Sequence, residues 1–239
     1  VLRDLERLPG WLAETGAVSA ITWSERTSKR GTPIFVAGAN VSERVGWDDA
    51  RVKQHVVWQR SVLAALKAAP VFHMAVVNGV ALGWGTEYML CCDWRIAAST
   101  ATFGLPETGL GIVPGAGGSS ELWAHIGVAQ TLRLGMTGER IGAEEACRIG
   151  VVQEVVPDVP AGLERARALA ALVAKKSPTA LAAFKGAVLD SIGRDPAERV
   201  AREEAAYGVC VDAGEAAIGR ASFASIRAGE RPDWGPRNG

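Results

Sequence analysis

Phe72-His73-Met74-Ala75-Val76-Val77, then Asn78-Gly79, then Val80-Ala81-Leu82-Gly83-Trp84-Gly85-Thr86-Glu87, decides the fold. Phe72 to Val77 is a short apolar run closed by an Asn-Gly turn signal, which reads as a buried strand. Glu87 to Cys91 reads as a helix, and Trp94 to Ala98 as a further strand. Strand, Gly-rich turn and helix follow one another in order, and that order predicts an α/β layered architecture. Residues 71–120 carry only four charged side chains, Glu87, Asp93, Arg95 and Glu107. Four in 50 is 8%, against 22% for the whole chain. Nine of the 28 glycines also fall here. Such a segment is buried, and its backbone makes tight turns or close approaches.

Working outward, residues 1–70 are mixed. Leu2, Leu5, Leu8 and Leu12 repeat at helical steps, and Pro9-Gly10 is expected to interrupt that helix. Val18 to Trp23 reads as a strand, Thr27 to Thr32 as a polar loop and Ile34-Phe35-Val36 as a short strand. Asp49 to Leu66 carries a helical pattern that stops before Pro70. Residues 121–239 are nearly all helical by pattern, with breaks at Pro178, Pro196 and Gly214. Asp195-Pro196 is a helix start, an N-cap followed by Pro at the first helical position. There is no fixed-period repeat and no low-complexity linker.

Composition excludes several classes of function. The chain has 239 residues, 26 basic and 26 acidic, so the formal charge is zero. That balance argues against a general polyanion binder. An apolar fraction of 48% with no net charge excludes disorder as the main state. Cys91, Cys92, Cys147 and Cys210 form no Cys-x-x-Cys pair, and His55, His73 and His125 stand apart in sequence. Neither a disulfide framework nor a metal site is therefore expected. The longest apolar stretch, Ala75 to Cys92, includes Asn78, three glycines and Glu87, so no membrane span is expected. The chain begins Val1-Leu2-Arg3-Asp4 without an apolar leader, and Arg outnumbers Lys 20 to 6. A bacterial cytoplasmic protein is expected, with the mitochondrial matrix as the alternative.

Glu87 and Glu107 are the candidate chemistry, because a carboxylate in so apolar a segment is costly unless it is paired or used. Each has a plainer reading. Glu87 falls in the first turn of a helix, where the dipole favours negative charge, and Glu107 is placed to accept N–H bonds in a turn. Two desolvated glutamates in one pocket are also natural acid/base partners. The glycines of Gly79 to Gly85 lack the G-x-G-x-x-G order of a dinucleotide site, and Gly115-Ala116-Gly117-Gly118-Ser119-Ser120 lacks the lysine of a phosphate loop. What remains is a helix start with free N–H groups near Trp84 and Gly85, a possible oxyanion site. Ala37-Gly38-Ala39-Asn40 offers a second donor turn. Alternatively, these glycines only permit turns.

Taken together, these segments resemble the crotonase (enoyl-CoA hydratase/isomerase) superfamily. Phe35-Val36-Ala37-Gly38-Ala39-Asn40-Val41 is similar to its F-x-A-G-A-D-[LIV] segment. Val77 to Glu87 is similar to N-G-x-A-x-G-G-G-x-E. Phe103-Gly104-Leu105-Pro106-Glu107 through Gly111-Ile112-Val113-Pro114-Gly115-Ala116-Gly117-Gly118 is similar to F-G-x-P-E…G-x-x-P-G-x-G-G. The likeness runs from about Ala37 to Pro157. It implies a spiral of β-β-α units over residues 1–157, with the earliest strands of the family missing. A helical oligomerisation or lid region is then implied over 158–239.

The resemblance also implies roles. The Ala39 and Trp84 amides would polarise the thioester carbonyl of a coenzyme A ester. Residues Ala37, Gly38, Ala39, Asn40, Val41, Gly83 and Gly115 would line the coenzyme A and substrate path, with Gly115 near the reacting water. Glu87 would activate that water at Cβ, and Glu107 would deliver a proton at Cα. Having both glutamates favours enoyl-CoA hydration. Isomerase, thioester hydrolase and retro-aldol lyase chemistry are the alternatives, and a non-enzymatic binding member stands further off. RNA binding is not expected, since Ser42 to Arg60 mixes acidic and basic residues. An acyl-CoA substrate is implied, with coenzyme A as part of it and no permanently bound cofactor. A homotrimer, or a hexamer built as a dimer of trimers, in fatty acid metabolism is implied as well. Two positions depart from the pattern. Trp84 stands where the family has Gly, so its indole either shapes the acyl pocket or packs in the core. Asn40 stands where the family has Asp.

Overall fold

The structure, a computed structural model, describes residues 1–235. Its elements begin with α1 (Leu2–Glu14), β1 (Ser19–Thr22) and β2 (Ile34–Val36). A 3-10 turn (Val41–Arg44) leads to α2 (Asp49–Ala68), β3 (Phe72–Val77), β4 (Val80–Leu82) and α3 (Trp84–Leu90). Then come β5 (Trp94–Ala98), β6 (Thr102–Gly104) and a second 3-10 turn (Pro106–Leu110). The chain continues with α4 (Leu122–Thr137), β7 (Ile141–Gly142), α5 (Ala143–Ile149) and β8 (Glu154–Val156). The last five helices are α6 (Val159–Ala174), α7 (Pro178–Asp190), α8 (Pro196–Asp212), α9 (Glu215–Ala221) and α10 (Phe223–Arg227).

The strands form two four-stranded sheets, ordered β1-β3-β5-β8 and β2-β4-β6-β7. Successive strand pairs, β1 with β2, β3 with β4 and β5 with β6, give one strand to each sheet. Each turn therefore advances both sheets by one position, which is the spiral of β-β-α units that the family resemblance implies. The β3–β5, β5–β8, β2–β4 and β4–β6 pairs are parallel, and β6–β7 is antiparallel. Parallel strands covered on both faces are nearly continuously apolar. In β3, all residues after Phe72 are buried, and in β5 all after Trp94. Segment 71–120 supplies the interior strands of both sheets, as its shortage of charge predicts.

The chain divides into two compact units, interleaved in sequence. The first comprises Val1–Glu6, Ile21–Lys67 and His73–Ala166, and it contains most of both sheets. The second comprises Arg7–Ala20, Ala68–Phe72 and the chain from Arg167 on. Within the second unit, Leu12, Ala69 and Val71 form a buried cluster joined by Leu8, Ala17 and Ala20. This cluster explains a departure from the sequence expectation. The first helix is not interrupted at Pro9-Gly10 but runs through Pro9. Proline costs an internal helix bond and a clash, ~3 kcal/mol or more. Burying Leu8 and Leu12 on one stripe repays that only if the helix continues. The second expected start holds: Asp195 caps α8, its side chain accepting from the Glu198 amide at 2.9 Å, with Pro196 next.

Among the described residues, no helix is long and apolar enough to cross a membrane. His73 is less isolated than its sequence position implies. Its Nε2 lies 2.8 Å from Thr22 Oγ1 and 3.6 Å from Cys92 Sγ, in a buried group that also includes Cys91. No spacing motif announces this group, because β3 and the end of α3 are brought together only by the fold.

Candidate active site

Strand register places the site. Leu82 of β4 is the partner of Gly104 in β6, and Val36 of β2 is the partner of Ala81. The carboxyl ends of three neighbouring parallel strands therefore lie side by side. Loops leaving such ends are where open α/β sheets bind ligands. Ala37 to Ala39 follow β2, Gly83 to Glu87 follow β4, and Glu107 follows β6. Residues that are distant in sequence converge without any long excursion.

A cavity of about 270 Å³ opens there. Ala37, Gly38, Ala39, Val41, Gly83, Trp84, Glu87, Glu107 and Gly115 all line it, as does Arg44. Asn40 does not line it. It is exposed and engaged with its own turn, donating from Nδ2 to Glu43 at 3.1 Å and accepting from the Ser42 hydroxyl at 2.6 Å. An Asn before a 3-10 turn finds local partners readily.

The two glutamates occupy different environments. Glu87 is 3% exposed, and its Oε1 accepts from the Ala116 amide at 2.7 Å and the Gly118 amide at 2.9 Å. Burial raises its pKa, while these two amides and the Arg60 charge pull it back. Glu107 is also buried, and its Oε2 has no hydrogen-bond partner among the described residues. Burial pushes the Glu107 carboxyl up to about 7, against its own backbone N–H and assisted by the Glu87 charge. Both carboxyls are raised by burial, but only Glu87 is held by two amides, so the two face unlike surroundings within one site.

Glycine at 83 and 85 follows from this crowding. Gly83 has φ +54°, and a Cβ there would lie 2.5 Å from Glu107 Oε1. A Cβ on Gly85 would run into the Val36 carbonyl. Thr86 ties the strand ends together, its hydroxyl meeting the Ala81 carbonyl at 2.8 Å and the Gly104 carbonyl at 3.0 Å. Trp84 is the first residue of α3, where an amide has no acceptor within the helix. The Ala39 amide donates to no backbone carbonyl among the described residues. Trp84 is 9% exposed, with its ring centroid 5.7 Å from that of Tyr88, so it both packs in the interior and forms cavity wall.

Reading the sequence alone missed three contributors: the Ala116 and Gly118 amides that hold Glu87, and Arg60 on α2. The loop of residues 115–118 belongs to the stretch Gly115 to Ser120, which lacks the lysine of a phosphate cradle. Its run of small residues is nevertheless the available signal: a Cβ on Gly118 would lie 3.3 Å from Glu87 Oε1, so a small residue lets the backbone wrap the carboxylate closely.

The enoyl-CoA hydratase/isomerase family model matches residues 27–230. The crotonyl-CoA hydratase of Syntrophomonas wolfei is 34% identical over 197 residues, 82% of this chain and 75% of that protein. The short-chain-enoyl-CoA hydratase of Clostridium acetobutylicum is 34% identical over 210 residues, 87% of this chain and 78% of that protein. The crystal structure of the enoyl-CoA hydratase from Bacillus anthracis superposes with a TM-score of 0.86 at 34% identity, covering 97% of this chain and 86% of that one. With a fold of paired spiral sheets and a family match over most of its length, the chain belongs to the enoyl-CoA hydratase/isomerase family within the crotonase superfamily.

Proposed function

We propose that the protein is an enoyl-CoA hydratase, adding water across the 2,3 double bond of a short enoyl-CoA thioester. The observation that carries this reading is the pair of glutamates on one cavity wall in unlike environments. The Ala39 and Trp84 amides receive the thioester oxygen and draw electron density from Cβ. Glu87, with Oε1 occupied by two amides, has Oε2 left to take a proton from a water that attacks Cβ. Glu107, whose carboxyl stays protonated toward neutral pH, delivers a proton to Cα. Hydroxyl adds at Cβ and hydrogen at Cα, so the atoms of one water are consumed and no redox partner is needed. Isomerisation needs only one of the two carboxylates, and this chain keeps both. The names of the Syntrophomonas and Clostridium relatives point to short acyl groups.

The test follows loss of the conjugated thioester absorbance of crotonyl-CoA. Wild type should hydrate it, and Glu87→Gln and Glu107→Gln should each lower kcat by ~10²–10⁴-fold while still folding. Near-full activity in either variant removes that residue from the chemistry. Double-bond migration or thioester cleavage without hydration would replace the reading with isomerase or hydrolase.

A further inference from the structure

Arg60 lies on α2, away from the cavity wall, and donates twice to one carbonyl. Its Nε reaches Gly115 O at 3.0 Å and its Nη2 reaches the same oxygen at 2.7 Å. The Gly115 carbonyl and the Ala116 amide are the two ends of one peptide group. No cis peptide bond occurs among the described residues, so these ends point in opposite directions. The other end is the Ala116 N–H that donates to Glu87 at 2.7 Å. A guanidinium, a peptide dipole and a carboxylate thus stand in series, each oriented to favour the next. Hydrogen bonds in such a chain polarise one another, and a fork of two donors fixes the peptide plane as a single donor would not.

The same face of α2 holds this loop at two further points. A Cβ on Gly115 would lie 2.6 Å from Val56 Cγ1, one helical turn before Arg60. Lys67, two turns beyond Arg60, pairs with Glu121 at 2.5 Å. Gly115 is therefore glycine because Val56 of α2 leaves no room for a Cβ, while Arg60 of the same helix holds its carbonyl.

We infer that Arg60 is a positioning residue: by clamping the Gly115–Ala116 peptide, it aims the Ala116 N–H at Glu87 and so orients the carboxylate toward the cavity. This rests on the proposed role of Glu87 as the base. Among the described residues, the charges that interact with Glu87 are Glu107, from the turn after β6, and Arg60 itself, from α2, while Arg44 lines the same cavity. Removing the guanidinium leaves Glu87 beside Glu107 with one weakened amide, so Glu87 should hold its proton to higher pH.

The experiment compares Arg60→Met and Arg60→Lys, in wild-type and Glu87→Gln backgrounds, by steady-state hydration of crotonyl-CoA from pH 5 to 9. A melting curve is taken for each variant. Arg60→Met should lower kcat about tenfold, the scale of one charge-assisted hydrogen bond. KM should change little, and the acidic limb of the rate profile should move to higher pH. Lysine should restore part of the loss. In the Glu87→Gln background, Arg60→Met should add almost nothing, because the group it serves is gone. Equal losses in both backgrounds, or a KM effect with an unmoved acidic limb, would overturn the inference. The second result would assign Arg60 to substrate contact in the neighbouring cleft it shares with Lys53. If wild type proves not to hydrate crotonyl-CoA, an infrared titration of the carboxyl band lost in Glu87→Gln decides instead. That band should titrate at higher pH in Arg60→Met, and an unmoved band refutes the coupling.

Discussion

Glu107 ties the proposed chemistry to stability through a single proton. Its carboxyl titrates at about 7 in the folded protein against an ordinary 4.5, chiefly because burial disfavours the charge. Between those values the folded chain holds a proton that the unfolded chain has released. The stability from this group is fully present below the ordinary value and is lost as pH rises through about 7. Glu107→Gln cannot ionise, so its melting temperature relative to wild type should be higher at pH 8 than at pH 5. Calorimetry at the two pH values checks the sign, and an equal difference at both would show that Glu107 titrates normally. Trp84 sets the other prediction at this scale. The common glycine keeps the same amide, so Trp84→Gly should still hydrate crotonyl-CoA. Removing an indole packed on Tyr88 should cost ~3–5 kcal/mol in a denaturant melt. Because that indole is also cavity wall, the ratio of kcat/KM for long over short enoyl-CoA should rise. An unchanged ratio would assign the side chain to packing alone. Glu87 and Glu107 stand out in the sequence as carboxylates in an apolar segment, and the fold brings them to one cavity with Ala39 and Trp84. The peptide that aims Glu87 does not stand out, since a hydrogen-bond direction has no sequence signature.

Elements were legible in proportion to their length and periodicity. β3, β5, α2 and the start of α8 follow their patterns closely. β4 and β6 do not: each is three residues long and embedded among glycines. Neither is a strand on its own propensity. Each exists because a paired strand on either side satisfies its backbone groups, two parallel ones for β4, and parallel β4 with antiparallel β7 for β6. β8 and β7 were hidden in a region whose composition reads as helix, for the same reason. The same neighbours explain why a helix-breaking residue, Gly85, sits in the first turn of α3. In an exposed helix, Gly→Ala gains up to ~1 kcal/mol. At Gly85 the sign should invert, because the new methyl would collide with the Val36 carbonyl of β2. Gly85→Ala should lose ~1–3 kcal/mol or more, as overpacking does. A urea midpoint that stays put or rises would mean β2 yields freely to the helix.

For the whole molecule, zero net charge and a well-filled interior were readable, as was the α/β class. The interleaving of two compact units was not, because their segments alternate along the chain without a linker or a shift in composition. Large apolar side chains remain exposed on the last helices, among them Phe184 on α7, Tyr207 on α8 and Phe223 on α10. Exposed apolar surface of this kind marks an interface when it is contiguous. Sedimentation at micromolar concentration should return three or six times the 25.1 kDa chain mass, and a single-chain mass would show these side chains to be free surface. The convergence of three loops on the ends of β2, β4 and β6 also governs how the site moves. Those strands are laddered to one another, so one can slide past its neighbour only by breaking a row of bonds. A displacement of the sheet should therefore carry the loop after β2, Glu87 and Glu107 together. Their mutual spacing changes far less than their absolute positions. A misplacement of ~1 Å between reacting groups can cost ~10²-fold in rate, so a sheet that trembles as one body leaves turnover undisturbed.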